Sequence, residues 1–230
     1  MFDDEELEEY DRVESVIGMN TNYIYNGNEY EKVIFDVGAN NGSSSIPWAK
    51  SHPSYLVFAF EPTPEMVEKI KSQTADLENY VTIQKAVSDY NGTADFNVAG
   101  NWDWGCSSLL EFSEKSKSEW PGRGDFYVTN KLKVQVIRLD TFIEINKINK
   151  IGHLHIDTQG SDLSVLKGLG NYIDIVYEGS MEAGMDDDIL YDGQNKLNES
   201  VKFLLQNKFR IIGVNSNDIF CNEVNIIFKR

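Results

Sequence analysis

Short apolar runs bounded by turn residues recur along the chain from residue 32 onward. Between them lie segments whose apolar positions return every three or four residues. The runs predict strands over Lys32–Val37, Tyr55–Phe60, Val81–Ala86, Gly92–Val98, Leu132–Arg138, His153–Asp157 and Ile173–Glu178, with a closing pair over Phe209–Asn215 and Glu223–Phe228. The helical spacings predict helices over Ser44–Ser51, Pro64–Thr74, Ser161–Leu169 and Lys196–Asn207, and a short one capped by Asp140 and running to Asn146. Strands alternating with helices in this way imply an α/β fold with a doubly wound, mostly parallel sheet. Ser216-Asn217-Asp218 joins the last two strands as a hairpin and so places one antiparallel strand in that sheet.

Two stretches break the alternation. Residues 3–17 carry Leu7, Tyr10, Val13 and Ile17 at helical spacing on an acidic background, and Asn26-Gly27 marks a turn soon after. Residues 1–30 therefore read as an N-terminal helical cap ahead of a main domain over residues 31–230. Residues 99–130 have little regularity and hold Trp102, Trp104 and Trp120, so they read as an insertion on the substrate side. Gly179–Gly193, with Asp186, Asp187 and Asp188, reads as a solvated acidic loop or a second loop over the site.

The chemistry concentrates at Val33–Gly42, V-I-F-D-V-G-A-N-N-G, where a buried strand runs into a glycine turn and then a helix start. That is the nucleoside-binding corner of an α/β sheet. Glu61 ends the next strand 19 residues beyond Gly42, where a carboxylate accepts hydrogen bonds from ribose hydroxyls. The loop lacks the second and third glycines of a dinucleotide fingerprint, and an acid before its first glycine repels a pyrophosphate. Asp36 suits the cationic amino-acid end of S-adenosylmethionine instead, and disfavours a nucleotide-dependent dehydrogenase.

Charge narrows the partners. The 230 residues carry a formal net charge of −16, which opposes capture of nucleic acid or of anionic lipid and favours a neutral or cationic small molecule or a glycan. No apolar run reaches the ~18 residues of a membrane span, and the acidic start does not read as a secretory leader. Cys106 and Cys221 have neither metal spacing nor a disulfide framework, so a cytoplasmic setting is expected.

Several blocks, in order, resemble the FkbM-type methyltransferases within the class I S-adenosylmethionine-dependent enzymes. They are F-D-V-G-A-N-N-G at Phe35–Gly42, F-E-P at Phe60–Pro62, A-V-S-D at Ala86–Asp89, R-L-D at Arg138–Asp140 and I-D-T-Q-G-S-D-L-S-V-L-K-G at Ile156–Gly168. The resemblance spans roughly residues 32–180. It implies a Rossmann-like, seven-stranded sheet and methyl transfer, most often to an oxygen of a sugar or secondary metabolite. Two positions depart from the family pattern: His155 stands where lysine is usual, and Asp162 where glutamate is usual. Both lie near the expected active centre and bear on substrate rather than fold.

These readings assign roles. Asp36, Gly38, Asn40 and Gly42 surround the methionine end of the cofactor, Glu61 its ribose, and Val87 and Ser88 its adenine edge. Asp157, at the carboxyl end of its strand, and His155, two residues earlier on the same face, are the candidate catalytic groups. Trp102 and Trp104 offer flat faces to a sugar ring or form the insertion's own core, and Glu178 is a further candidate substrate contact. Asp157, Asp162 and Glu178 are oxygen donors of the kind Mg²⁺ takes, but acids at strand and helix ends are the simpler reading, and no metal site is expected. An N- or C-methyltransferase, or a silent cofactor-binding partner subunit, would carry the same cofactor motifs.

Overall fold

A computed structural model describes residues 22–100, 104–116, 126–185, 190–217 and 222–230. The expected N-terminal helix, Trp102, Trp120, the Asp186–Asp188 run and Cys221 lie outside the described residues, as does the side chain of Trp104. Asn26 and Gly27 both take positive φ, 48° and 84°, the paired left-handed geometry of a tight hairpin turn. The turn joins β1 (Tyr23–Tyr25) to β2 (Asn28–Tyr30), a hairpin that the turn signal marked but the polar composition around it did not predict.

The alternating part then follows in chain order. It begins with β3 (Lys32–Val37), α1 (Ile46–Ser51), β4 (Tyr55–Phe60), α2 (Pro64–Thr74) and β5 (Tyr80–Ile83). Next come β6 (Ala86–Val87), β7 (Gly92–Ala99), β8 (Val128–Ile137) and α3 (Leu139–Asn146). The chain continues through β9 (Ile151–Ile156), α4 (Asp162–Lys167), a 3-10 turn at Gly170–Ile175 and β10 (Val176–Gly184). It closes with α5 (Leu197–Gln206), β11 (Arg210–Ser216) and β12 (Glu223–Lys229).

Seven strands form one sheet in the order β11-β12-β10-β9-β3-β4-β5. All neighbours are parallel except β12, which runs against both β10 and β11. The chain winds outward from β3 through β4 to β5, then returns to β9 and winds the other way, so the order reverses between β3 and β9. In open α/β sheets the crevice beyond the strand ends at such a reversal is where ligands bind. Every residue of β3 is buried, as a central parallel strand covered on both faces requires. On one face Phe35, Phe58 and Phe60 meet Phe142 of α3 edge-on, with centroids 4.9–5.7 Å from its ring. On the other, Ile34, Val57 and Ala59 pack against Ile46 and Ala49 of α1 and Ile70 of α2.

Three expected elements differ. The run Val81–Ala86 splits, because residues 80–83 join the main sheet while Ala86–Val87 pairs with β8 in a separate three-stranded sheet of order β6-β8-β7. Asp140 does not cap α3: Arg138 holds the cap position, and Asp140 sits inside the first turn, bound by Arg138 Nε at 2.9 Å and by the Thr141 N–H at 2.6 Å. The strand expected to end at Glu178 instead begins at Val176 and runs on to Gly184, the preceding residues being taken up by the 3-10 turn.

Candidate active site

The turn after β3 brings backbone unusually close to the end of β9. Gly38 has a φ of 87°, and a Cβ there would stand 1.9 Å from the carbonyl oxygen of Asp157. Only glycine admits that approach. The Gly38 and Ala39 N–H groups both donate to the Phe60 carbonyl at 3.0 Å, and the Asp157 N–H donates to the Val37 carbonyl at 2.9 Å. The ends of β3, β4 and β9 are thereby tied into one rim.

That rim opens on a cleft. Gly38, Asn40, Glu61, Val87 and Asp157 line it, so five residues singled out from the sequence meet on one surface. Met66 from the first turn of α2, Lys85, Phe96 from β7, and Gly105, Ser107 and Leu109 line it as well. Sequence reasoning did not reach Met66 or Phe96. Met66 follows from the helix start just after Glu61, whereas Phe96 reaches the cleft through the packing of the small sheet, a long-range event with no local signature.

Glu61 is buried, yet its carboxylate is well supplied with donors. Oε2 accepts from the Asn40 N–H at 2.9 Å, and Oε1 accepts from the Thr63 N–H at 2.8 Å and the Thr63 hydroxyl at 2.6 Å. Burial lifts its pKa to about 6 against the pull of those donors. Each carboxylate oxygen has two lone-pair directions, so acceptor capacity remains toward the cleft.

The other sequence candidates lie elsewhere. Asp36 is 1% exposed and does not line the cleft. Its Oδ2 accepts from the Ser45 hydroxyl, which lies 2.8 Å from the Tyr80 hydroxyl, and among the described residues its Oδ1 has no hydrogen-bond partner. Burial pushes the Asp36 carboxyl above its usual range. Gly42, with φ 78°, packs against Ile46 rather than facing the cleft, and its N–H donates to the Ala39 carbonyl at 2.7 Å, closing the turn. Ser88 is buried, its N–H donating to the Ile137 carbonyl at 3.2 Å.

His155 pairs in register with Asp36 on β3 and Ser180 on β10, and its Nδ1 lies 3.0 Å from Ser180 Oγ. The shared strand does not carry it into the cleft with Asp157, because β9 ends at Ile156 and Asp157 belongs to the following turn. Glu178 lies in register with His153, four residues before the level of Asp157, or about 13 Å along a strand. It faces Lys229 at 3.3 Å and His153 Nδ1 at 3.4 Å. Because the strand runs on to Gly184, this position is mid-sheet and away from the cleft, which corrects the expectation of a substrate contact there.

Behind Asp157 sits a cluster of acids. Asp162 Oδ1 accepts from the Thr158 N–H at 2.9 Å and from its hydroxyl at 2.5 Å, while Oδ2 accepts from the Glu182 N–H at 2.7 Å. Burial raises its pKa to about 7, and the neighbouring Asp157 charge adds to the rise. Glu182 is raised well above the usual carboxylate range by burial and by the charges of Asp157, Glu223 and Asp162. Among the described residues no cluster of three or more His, Cys, Asp or Glu is arranged to hold a metal ion.

With this geometry in place, comparison with known proteins identifies the lineage. The methyltransferase FkbM domain profile matches residues 36–211. The 2-O-methyltransferase NoeI of Sinorhizobium fredii is 27% identical over 144 residues, which is 60% of this chain and 57% of that protein. The crystal structure of methyltransferase FkbM from Methylobacillus flagellatus superposes with a TM-score of 0.55 at 14% identity, covering 86% of this chain and 43% of that one. Aeropyrum pernix fibrillarin, in complex with natively bound S-adenosyl-L-methionine, superposes with a TM-score of 0.51 at 11% identity, over 93% of this chain and 84% of that one. The two superpositions share the fold, and this chain spans little more than half of NoeI and less than half of the M. flagellatus protein. The glycine turn, the Glu61 strand end and the Ile156–Gly168 block all fall within the matched span, and the chain belongs to the FkbM methyltransferase domain family.

Proposed function

We propose that this chain is an S-adenosylmethionine-dependent methyltransferase that methylates a hydroxyl oxygen on a sugar, a glycan or a related small metabolite. The observation that carries this reading is the meeting of Glu61 and Asp157 on one cleft at the point where the strand order reverses. One carboxylate is suited to a ribose diol and the other to an acceptor hydroxyl. The 2-O-methyltransferase NoeI as a relative supports oxygen as the accepting atom.

The residues present fit the cofactor. Gly38 leaves room where a side chain would collide, Glu61 keeps one free lone pair on Oε2, and Val87, Phe96 and Met66 offer apolar surface for a base. Bound S-adenosylmethionine supplies an electrophilic methyl group on a sulfonium with a good leaving group. The chain's own task is then to hold the acceptor in line and to take its proton. Asp157 is the carboxylate in the cleft placed to accept that proton. Asp36 serves indirectly, its bond to Ser45 fixing the start of α1 and with it the glycine turn. The net charge of −16 supports a neutral acceptor over a polyanion.

Titration calorimetry with S-adenosylhomocysteine against NAD tests the cofactor, and release of S-adenosylhomocysteine in the presence of methyl glycosides tests the reaction. Asp157→Asn keeps the shape and removes the proton acceptor. It should lower turnover at least a hundredfold while cofactor affinity stays within about threefold. Binding of NAD in preference, or methylation of amines alone, defeats this assignment. Binding of S-adenosylhomocysteine with no turnover on any acceptor would instead favour the silent partner subunit.

A further inference from the structure

The turn after β9 contains a hydrogen-bonded chain that methyl transfer does not in itself require. Gln159 Nε2 donates to Asp157 Oδ1 at 2.6 Å and to Glu182 Oε2 at 3.3 Å, so both amide hydrogens have acceptors. At the other end, Gln159 Oε1 lies 2.8 Å from the Tyr191 hydroxyl, which lies at the same distance from the Cys106 carbonyl oxygen. Gln159 holds a left-handed φ of 56°, a conformation that a residue with a side chain keeps only where its surroundings enforce it. The enforcing contacts are visible. Ser108 Oγ donates to the Gln159 carbonyl at 2.6 Å, and Gly160, at φ 95°, lies so close to the Tyr191 ring that a Cβ would come within 2.9 Å of it.

We propose that Gln159 is a positioning residue for Asp157, fixing one carboxylate oxygen so that the other is left for the acceptor, and that Tyr191 couples this orientation to the cleft wall at Gly105–Leu109. The inference rests on the methyl-transfer reading above. Its logic is that a neutral double donor is needed at this place. Asp157 on the same turn and Glu182 from β10 accept from the Gln159 amide, Tyr191 lies at its carbonyl end, and the charges of Asp162 from α4 and Glu223 from β12 act on Glu182, with Cys106 beside Tyr191. An amide can bridge two of these acids without adding charge. The wall residues alternate in role, with Gly105, Ser107 and Leu109 lining the cleft while Cys106 and Ser108 reach back to Tyr191 and Gln159.

The test uses the full chain and the variants Gln159→Leu, Gln159→Glu, Tyr191→Phe and the double variant Gln159→Leu/Tyr191→Phe. Calorimetry with S-adenosylhomocysteine verifies that each keeps its pocket, with affinity within about threefold of the parent. Methyl transfer from labelled S-adenosylmethionine to a panel of pentose, hexose and 6-deoxyhexose methyl glycosides then reads the role. Gln159→Leu should lose at least tenfold in kcat with little change in KM for the cofactor. The double variant should be no slower than Gln159→Leu alone, because Tyr191 acts through the amide. In Gln159→Glu the new side chain can donate to Asp157 only while protonated. Its rate relative to the parent should therefore be highest near pH 6 and fall about tenfold or more toward pH 9. A Gln159→Leu variant that turns over like the parent, or a Gln159→Glu profile parallel to the parent's, overturns the inference and leaves the methyl-transfer reading standing. A parent protein that neither binds S-adenosylhomocysteine nor methylates any glycoside overturns that reading, and the inference with it.

Discussion

The Asn40 backbone N–H donates to Glu61 Oε2 at 2.9 Å, joining the glycine turn after β3 to the end of β4 across 21 residues of sequence. Asn40 can aim that N–H because it takes a left-handed φ of 48°, which asparagine tolerates better than most residues. One acid therefore does two things: it shapes the turn, and it keeps one lone pair, on Oε2, free for a ligand.

Cofactor binding should depend on the charge of Glu61. Its pKa stands near 6, so the carboxylate is partly protonated under mildly acidic conditions. Hydrogen bonds from a ribose diol favour the ionised form, so affinity for S-adenosylhomocysteine should rise about tenfold from pH 5 to pH 7.5 and then level off. Glu61→Gln should bind at least tenfold more weakly at pH 7.5 and lose the pH step. Calorimetry across that range is the measurement, and a variant retaining the same step would remove Glu61 as its source.

Gly38→Ala should be among the most damaging single substitutions in the chain. The added methyl meets backbone, the Asp157 carbonyl oxygen at 1.9 Å, and the φ of 87° is itself unfavourable for alanine. Either β3 or β9 must move, at a cost on the order of 2–4 kcal/mol. Urea unfolding should show that loss together with loss of S-adenosylhomocysteine binding. Gly27→Ala, where no atom stands within 4 Å, isolates the effect of positive φ alone and should cost about 1 kcal/mol.

Asp36 should act on binding through Ser45. Asp36→Asn keeps an acceptor for the Ser45 hydroxyl but sets an amide NH2 in the unpartnered place of Oδ1, so it should cost about 1–3 kcal/mol of stability and leave cofactor affinity within about threefold. Asp36→Ala and Ser45→Ala both break the link to the start of α1 and should weaken binding by similar factors. A large loss in Asp36→Asn with Ser45→Ala unaffected would instead mean that the carboxylate meets the cofactor directly.

Much of this was legible from the chain because local rules and the fold agree. The strand–turn signal at Val33–Gly42, the Pro64 helix start and the Asn26-Gly27 turn are each set by residues close in sequence, and each stands where the pattern put it. The faces of the strands were harder. Asp36 reads as a strand-end ligand, but its burial follows from α1 closing over it through Ser45 and Tyr80, a contact spanning 35 residues from Ser45 to Tyr80. Glu178 was misplaced by the boundary of a single strand. Gln159 carries no signal of its own, since its left-handed backbone and its bond to Tyr191, 32 residues on, exist only once the turn after β9 is packed.

Stability should also carry the imprint of the buried acids. Burial raises Asp162 from 3.8 to about 7 and Glu61 from 4.5 to about 6. A group held protonated in the folded state but ionised in the unfolded one favours folding at low pH. That contribution is complete below the unfolded value and is lost as pH rises through the folded one. For Glu61 the span amounts to about 2 kcal/mol, lost by pH 7, and for Asp162 the loss continues to about pH 8. His153 works the other way, because burial lowers its pKa and stability is lost as pH falls below 6.5. Lys32 also works the other way, because burial lowers it to about 7 and stability is regained as pH rises from there toward its unfolded value, so the effect of Asp162 between pH 6.5 and 8 is read as a difference from a variant that lacks the acid. Asp162→Asn loses an acceptor for the Glu182 N–H and should be less stable overall, but across that interval the parent's urea midpoint should drop relative to the variant's, so that the gap between them narrows. Parallel midpoints in the two proteins would mean that Asp162 is already ionised in the folded chain at pH 6.5.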